Sequence, residues 1–501
     1  MVSYSSVPDG TGSASDSSRG RRRRTRRALK PTEHIGEASW LSSNINLLNT
    51  IVGAGTLAMS SAMSKMGILL GTVVILWAGL TAAFGLYLQS RCARYLDRGT
   101  ASFFALSQIT YPNAAVLFDA AIAIKCFGVG VSYLIIIGDL MPGVVLGFDE
   151  GASSFPFLLD RHFWVTVFML VVIPLSFLRR LDSLKYTSVI ALISISYLVI
   201  LVVFHFFKGD TMADRGEIRI IQWGGLVATL KSFPVIVFAY TCHQNMFSIL
   251  NEIKNNSPRR TTSVVVTSIG SAAFIYVLVA ITGYLSFGNN VKGNIVGMYI
   301  PSVASTIGKA AIVVLVMFSY PLQVHPCRAS VDAVLKWRPQ SLRSKTSPSS
   351  SPSRSALLGL PSVRPAAKKD SIGELRFAII TTVIIILSYT VAMTVSSLDK
   401  VLAYVGSTGS TSISFILPGL FYYKISDPDS IHHQQLAKED DDEIDSDSGD
   451  EEDSHIGNPS KRKGHWRKTI LRKLSLALAI YGIFVMIICL AINIIFSAAG
   501  H

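Results

Sequence analysis

Long apolar runs separated by short polar stretches set the pattern of this chain. A hydrocarbon core about 30 Å thick needs about 20 apolar residues in a helix. By that rule the sequence predicts eleven membrane spans, at roughly 42–63, 68–90, 114–147, 162–178, 186–207, 223–250, 263–286, 303–333, 374–396, 399–422 and 472–497. The third and eighth are long enough to tilt or to extend past the bilayer. The fourth and fifth are joined only by Arg179 to Lys185, enough for a turn.

Basic residues test this division, because Lys and Arg concentrate on the cytosolic side. Eight lie in 19–30, three in each of the connections 91–98, 179–185 and 254–260, eight in 336–369 and nine in 424–473. Together they are 34 of the 46 in the chain. The bias predicts a cytosolic N-terminus and a lumenal C-terminus. Omitting one span would reverse the face of every later loop. Composition agrees: half of the 501 residues are apolar, mean hydropathy is +0.44, and 16% are charged, against about 25% in a soluble domain. This composition argues against an ordinary soluble enzyme. The net charge of +14 does not point to nucleic acid, because the basic residues sit between apolar runs. The five cysteines lie in or beside apolar segments, so no disulfide framework is expected. No zinc-type spacing is present. The polar, Arg-rich start predicts no cleavable signal peptide.

The resulting organisation is a basic cytosolic tail (1–37), spans one to eight (38–335), a basic cytosolic loop (336–371), spans nine and ten (372–423), a mixed acidic and basic loop (424–470), and the last span with a short lumenal end (471–501). The tail and both loops are expected to be disordered, since they bury too little apolar surface to offset chain entropy. They carry the run Arg21 to Arg27, eleven acids between Glu439 and Asp453, and Ser446 and Ser448 as phosphorylation candidates. Cytosolic regulators of these loops and anionic lipid are the partners they suggest. The sequon Asn255-Asn256-Ser257 falls in a cytosolic connection and should stay unglycosylated.

Carrier sites sit where a membrane helix unwinds and its backbone faces a ligand. Span one reads Asn44-Ile45-Asn46-Leu47-Leu48-Asn49-Thr50-Ile51-Val52-Gly53-Ala54-Gly55-Thr56, with Gly-x-Gly near its middle. Span six carries Pro234 and then the polar cluster Tyr240-Thr241-Cys242-His243-Gln244-Asn245. Proline interrupts the helical ladder, and intramembrane amides and imidazoles mark functional positions. Breaks in spans one and six suit a five-plus-five inverted repeat. Residue-level identity between the halves is not evident, so this rests on topology.

Taken together, Asn46 to Gly55, Ser132 to Asp139, Phe238 to Asn245 with Asn251-Glu252, and Ser319-Tyr320-Pro321-Leu322-Gln323-Val324-His325-Pro326-Cys327-Arg328 resemble the amino acid/auxin permease family. Within it the chain is most similar to fungal vacuolar amino acid transporters, and sodium-coupled neutral amino acid transporters are more distant relatives. The resemblance covers about 38–335 and 372–497. It implies an all-α, LeuT-like membrane protein with discontinuous helices one and six. The backbone of Ile51, Val52, Gly53, Ala54, Gly55 and Thr56 is then expected to bind a substrate carboxylate, which suits N–H groups at a half-helix N-terminus. Tyr240, Thr241 and Cys242 are expected to border the amino group and side chain, with Tyr133 as a gate or carboxylate partner.

For coupling, Asn49 and Ser319 match oxygen ligands of the sodium-coupled relatives, while the resemblance to vacuolar carriers favours a proton. His243 and Glu252 are the proton candidates, although a salt bridge from Glu252 to Arg259 or Arg260 competes with that role. Asp139 is expected at an interface. Lys125, Lys231 and Lys309 are expected to snorkel or to pair with a carboxylate. No cofactor or metal is called for. The expected activity is secondary active amino acid transport across a vacuolar membrane, by proton-coupled export to the cytosol. The alternatives are an amino acid sensor on the same scaffold and sodium-coupled uptake at the plasma membrane. An enzyme is disfavoured, since no H-E-x-x-H, G-x-S-x-G or P-loop occurs. Neutral residues dominate the inferred pocket, which favours neutral amino acids.

Overall fold

The computed structural model describes residues 36–178, 187–254, 256–336, 373–430, 434 and 459–498. Most of the basic tail, most of both long loops, the whole turn between spans four and five, and Asn255 of the sequon lie outside them. The described residues are helical apart from short connections. Among the described residues, eight helical stretches are long and apolar enough to cross a membrane.

In chain order the helices are α1 (Trp40–Ile51), α2 (Ala54–Ser64), α3 (Ile68–Ala93), α4 (Phe103–Thr110), α5 (Ala115–Phe148), α6 (Arg161–Ser176), α7 (Thr187–Lys208), α8 (Leu226–Ala239), α9 (His243–Glu252), α10 (Pro258–Phe287), α11 (Ile295–Met298), α12 (Val303–Lys336), α13 (Glu374–Thr394), α14 (Leu398–Val405), α15 (Leu417–Ile425) and α16 (Pro459–Ala498). Span one is α1 and α2, interrupted at Val52 and Gly53. Span six is α8 and α9, interrupted at Tyr240 to Cys242. Pro234 was expected to make that break, yet it lies inside α8. Pro142, Pro174, Pro321 and Pro326 are likewise held within helices. A missing N–H frees one carbonyl, which neighbouring helices can satisfy.

Between α14 and α15, residues Gly406–Ser410 and Ser412–Ile416 wind as π-helix. The Ser and Thr hydroxyls there return to backbone carbonyls: Ser407 to Ala403 and Thr411 to Gly406, both at 2.7 Å. Such wide turns recur at functional sites. At Gly406 an added Cβ would collide with the Pro234 carbonyl, and at Gly409 with the backbone of Ala121 and Lys125. The π region therefore presses directly on α8 and α5.

One end of the bundle joins the start of α1 to the end of α9. Ala38 N–H donates to the Glu252 carbonyl at 2.8 Å, and Lys254 N–H to the Ala38 carbonyl at 3.0 Å. Asn251 bonds both backbone groups of Ala101, at 3.1 and 2.8 Å. At the opposite end the segment before α8 lies over the α2–α3 turn. Ile68 N–H donates to Arg219 O (3.0 Å) and Gly224 N–H to Lys65 O (3.2 Å). Gly67 needs φ of +80° there, and a Cβ would meet the Gln222 carbonyl. Beside it Ser61 donates to the half-buried Asp399 carboxylate at 2.8 Å.

Buried cations are satisfied in ways the sequence does not foretell. Lys309 was expected to snorkel or meet a carboxylate; it is buried and donates to the Tyr299 carbonyl at 2.7 Å. Arg328 donates to Ser176 O and Thr381 Oγ1 and stacks 3.9 Å over Phe377, tying α12 to α6 and α13. Asp139 pairs with Arg161 at 3.9 Å.

Close packing at Gly406 has a measurable consequence. Gly406→Ala should destabilise the protein by about 1–3 kcal/mol through overpacking, read as a lower thermal midpoint in detergent. Gly270→Ala, where a Cβ meets nothing within 4 Å, should leave the midpoint unchanged or raise it.

Candidate substrate site at the helix breaks

A cavity of about 400 Å³ reaches both breaks and runs between α1, α9, α5 and α12 toward Glu252. Its size falls within the range of small-molecule sites. Its wall follows from the way the two chains unwind. After Ile51 the residue Val52 turns extended (ψ 93°), and Gly53 adopts φ −145°, ψ −137° before α2 begins. Thr56 N–H returns to Gly53 O at 3.0 Å. The N–H groups of Ala54 and Gly55, in the first turn of α2, have no acceptor within the helix. They stand at the cavity wall with the positive end of the α2 dipole.

The facing break is made by α8. Its last carbonyls are all taken: Ile236 by Tyr240 N–H, Val237 by Thr241 Oγ1, Phe238 by Thr241 N–H, and Ala239 by Tyr276. Asn245 N–H takes the Cys242 carbonyl at 3.0 Å. This leaves the carbonyl of Thr241, which lines the cavity, for a ligand. Tyr276 on α10 joins the two breaks. Its hydroxyl lies 2.7 Å from Ile51 O and 2.9 Å from Ala239 O, so one proton serves the carbonyl ends of both half-helices in turn. Gly55 allows this closeness, since a Cβ there would overlap the Ala239 side chain.

Ile51, Val52, Gly53, Ala54, Gly55, Tyr133 and Thr241 line the cavity, as do Asn49, Ser319 and Glu252. Tyr133 shares the wall with Gln323 from α12, and Ser319 donates to Leu315 O at 2.7 Å. Four expected residues stand elsewhere. Thr56 is fully buried behind the wall. Tyr240 turns into the core, edge-on to Tyr276 with ring centroids 5.0 Å apart and against Gly79. Cys242 is buried beside it and does not line the cavity. His243 packs onto α3, its Nε2 3.2 Å from Ala82 O, and Gln89 holds its own carbonyl at 2.9 Å. An unwound segment does not follow helical periodicity, so neighbours in sequence face opposite ways.

Glu252 forms no ion pair with Arg259 or Arg260 among the described residues; it is exposed at the cavity mouth. Lys125 neither snorkels nor meets a carboxylate; it lines the cavity. Residues that the sequence reading did not assign complete the wall: Asn46, Thr50, Gln244, Asn245, Ser248 and Gln323. Asn245 donates to Thr50 Oγ1 at 3.0 Å, bridging α9 to α1. The polar stripe along α9 was the available signal for Gln244, Asn245 and Ser248. Nothing in the sequence marks Tyr276.

All five native cysteines are free and buried. A water-soluble thiol reagent should therefore label Ser248→Cys at the mouth and spare Thr56→Cys and the native thiols. Equal labelling of both variants would contradict the placement of the cavity.

The geometry can be set beside known proteins. The chain is 43% identical over 466 residues to vacuolar amino acid transporter 5 of Schizosaccharomyces pombe, covering 92% of this chain and 96% of that one. It is 41% identical over 408 residues to vacuolar amino acid transporter 6 of Saccharomyces cerevisiae, covering 77% and 90%. Among solved structures, MhsT in complex with L-phenylalanine superposes with a TM-score of 0.52 at 13% identity, over 90% of this chain and 99% of that one. That likeness establishes a shared LeuT-like fold and nothing about the ligand. The family described as transmembrane amino acid transporter protein matches residues 36–441, and with such relatives on either side the chain belongs to that family of transporters, which are not enzymes.

Proposed function

We propose that the protein is a secondary active carrier of amino acids in the vacuolar membrane. In this reading it has eleven spans in a five-plus-five inverted repeat, a cytosolic N-terminus and a lumenal C-terminus. The three spans beyond the eight long helices are the broken pair α1–α2, the 16-residue α6, and α14 to α15 with its π segments. The placement at the vacuole leans on the names of the yeast relatives.

One observation carries the carrier reading: half-helix ends of opposite polarity meet in one cavity. The Ala54 and Gly55 N–H groups suit a carboxylate, and the Thr241 carbonyl suits an ammonium group. A zwitterion satisfies both at once. The cavity opens at the end that holds the start of α1 and the end of α9. With the N-terminus in the cytosol, this is a cytosol-facing state.

The proposed driving ion is the proton, moving with substrate from an acidic lumen to the cytosol. Glu252 is the cavity-lining acid that bulk water reaches. Asn49 and Ser319 are the oxygen donors through which sodium would act instead.

Purified protein in liposomes should transport amino acids when a pH gradient is imposed, without sodium. Tyr276→Phe should slow transport about five- to tenfold, the worth of one buried hydrogen bond. Sodium-dependent flux indifferent to pH would contradict the proton assignment. Absence of any amino acid flux would contradict the carrier reading.

A further inference from the structure

Two of the residues lining the cavity are charged, Lys125 and Glu252. They occupy different depths. Glu252 is exposed at the mouth. Lys125 is 4% exposed, and its Nζ lies 5.6 Å from the centre of the Phe238 ring, next to the residue that ends α8. The ammonium thus stands beside the break. No carboxylate or other acceptor among the described residues hydrogen-bonds or ion-pairs with it. Its backbone is fixed, since Gly409 of the π segment packs against Lys125 N and Cβ with no room for a methyl group.

A cation withdrawn from water with no partner is costly, and an anion that arrives beside it removes that cost. The cavity has a second anion-binding feature, the N–H groups of Ala54 and Gly55, on a different wall. Lys125, Val129 and Tyr133 recur every four residues and share one face of α5. Tyr133 stands about 12 Å further along the helix, by the rise of 1.5 Å per residue. Val129 lies between the two levels on that face, and Phe238 and Thr241 line the cavity with them.

We propose that Lys125 is the specificity-determining residue of this site, its ammonium receiving the side-chain carboxylate of an acidic amino acid while α2 holds the α-carboxylate. The inference rests on the amino acid site proposed above and names its substrate class. It replaces the neutral preference that the sequence suggested, which counted no cation in the pocket. Amino acids with cationic side chains meet like charge and are disfavoured.

The test is ligand-induced thermal stabilisation of the purified full-length protein in detergent, titrated with L-glutamate, L-aspartate, L-glutamine and L-lysine. Glutamate and glutamine differ only in the charge at the side-chain end. The wild-type protein should bind glutamate at least tenfold more tightly than glutamine. Lys125→Met should bring that ratio close to one, and Lys125→Arg should keep most of it. A wild-type ratio near one overturns the inference, and so does an undiminished ratio in Lys125→Met. Equal loss of both ligands in a folded Lys125→Met also overturns it, since the group would then serve every substrate. If Lys125→Met does not fold, the wild-type ratio and Lys125→Arg decide. Binding needs no flux. Selective glutamate binding without transport would therefore leave this inference standing and remove the carrier reading.

Discussion

A peptide group inside a membrane must find a hydrogen-bond partner, because lipid offers none. That constraint governs the two breaks in this protein. Each frees backbone groups at a depth where water is scarce, and the structure divides them into two sets. One set is closed internally: Thr241 covers two carbonyls at the end of α8, and the Tyr276 hydroxyl stands between Ile51 O and Ala239 O. The other set, at the start of α2 and at Thr241, faces a polar cavity. Tyr276 holds the two half-helix ends together, and so holds the two unclosed sets at a common level.

Around that junction the packing is close on every side. Gly55 rests on Ala239, Gly79 on the Tyr240 ring, Gly406 on Pro234 and Gly409 on Lys125. Small residues at helix contacts are how membrane helices approach without a hydrophobic driving force. Here they also fix which way side chains leave the break. Thr241 faces the cavity and receives Ser414 from the π region at 3.2 Å, while Tyr240 and Cys242 are pressed into the core. At the two ends of the bundle the chain is fastened differently. The Ala38–Ile253 bridge binds α1 to α9 as a pair, and the segment before α8 lies over the far turn. A cavity that reaches the breaks from one end follows from that asymmetry.

Much of this was legible from residue patterns, and the limits are physical. Apolar runs gave the helices their places, because helix length and bilayer thickness are tied. Gly53 and Gly55 marked the first break, since glycine tolerates an unwound backbone. Pro234 misplaced the second, because prolines in this bundle are absorbed within helices and the polar cluster after it does the unwinding. Tyr276 was illegible: its two acceptors lie 225 and 37 residues away, and in sequence it is one aromatic residue in an apolar run. His243 looked like a titrating group in the pathway, yet the turn at Cys242 directs its ring toward α3. Lys125 looked like a cation reaching for an interface. Its position ten residues into a 34-residue helix and its contact with Gly409 instead bring it to the cavity.

A high-resolution structure of the purified protein with a bound amino acid tests the central claim most directly. The account predicts density for the ligand at the two breaks, its α-carboxylate within hydrogen-bonding distance of the Ala54 and Gly55 N–H groups and its ammonium near the Thr241 carbonyl. Continuous helices through 40–64 and 226–252, with the ligand bound elsewhere or not at all, would contradict it.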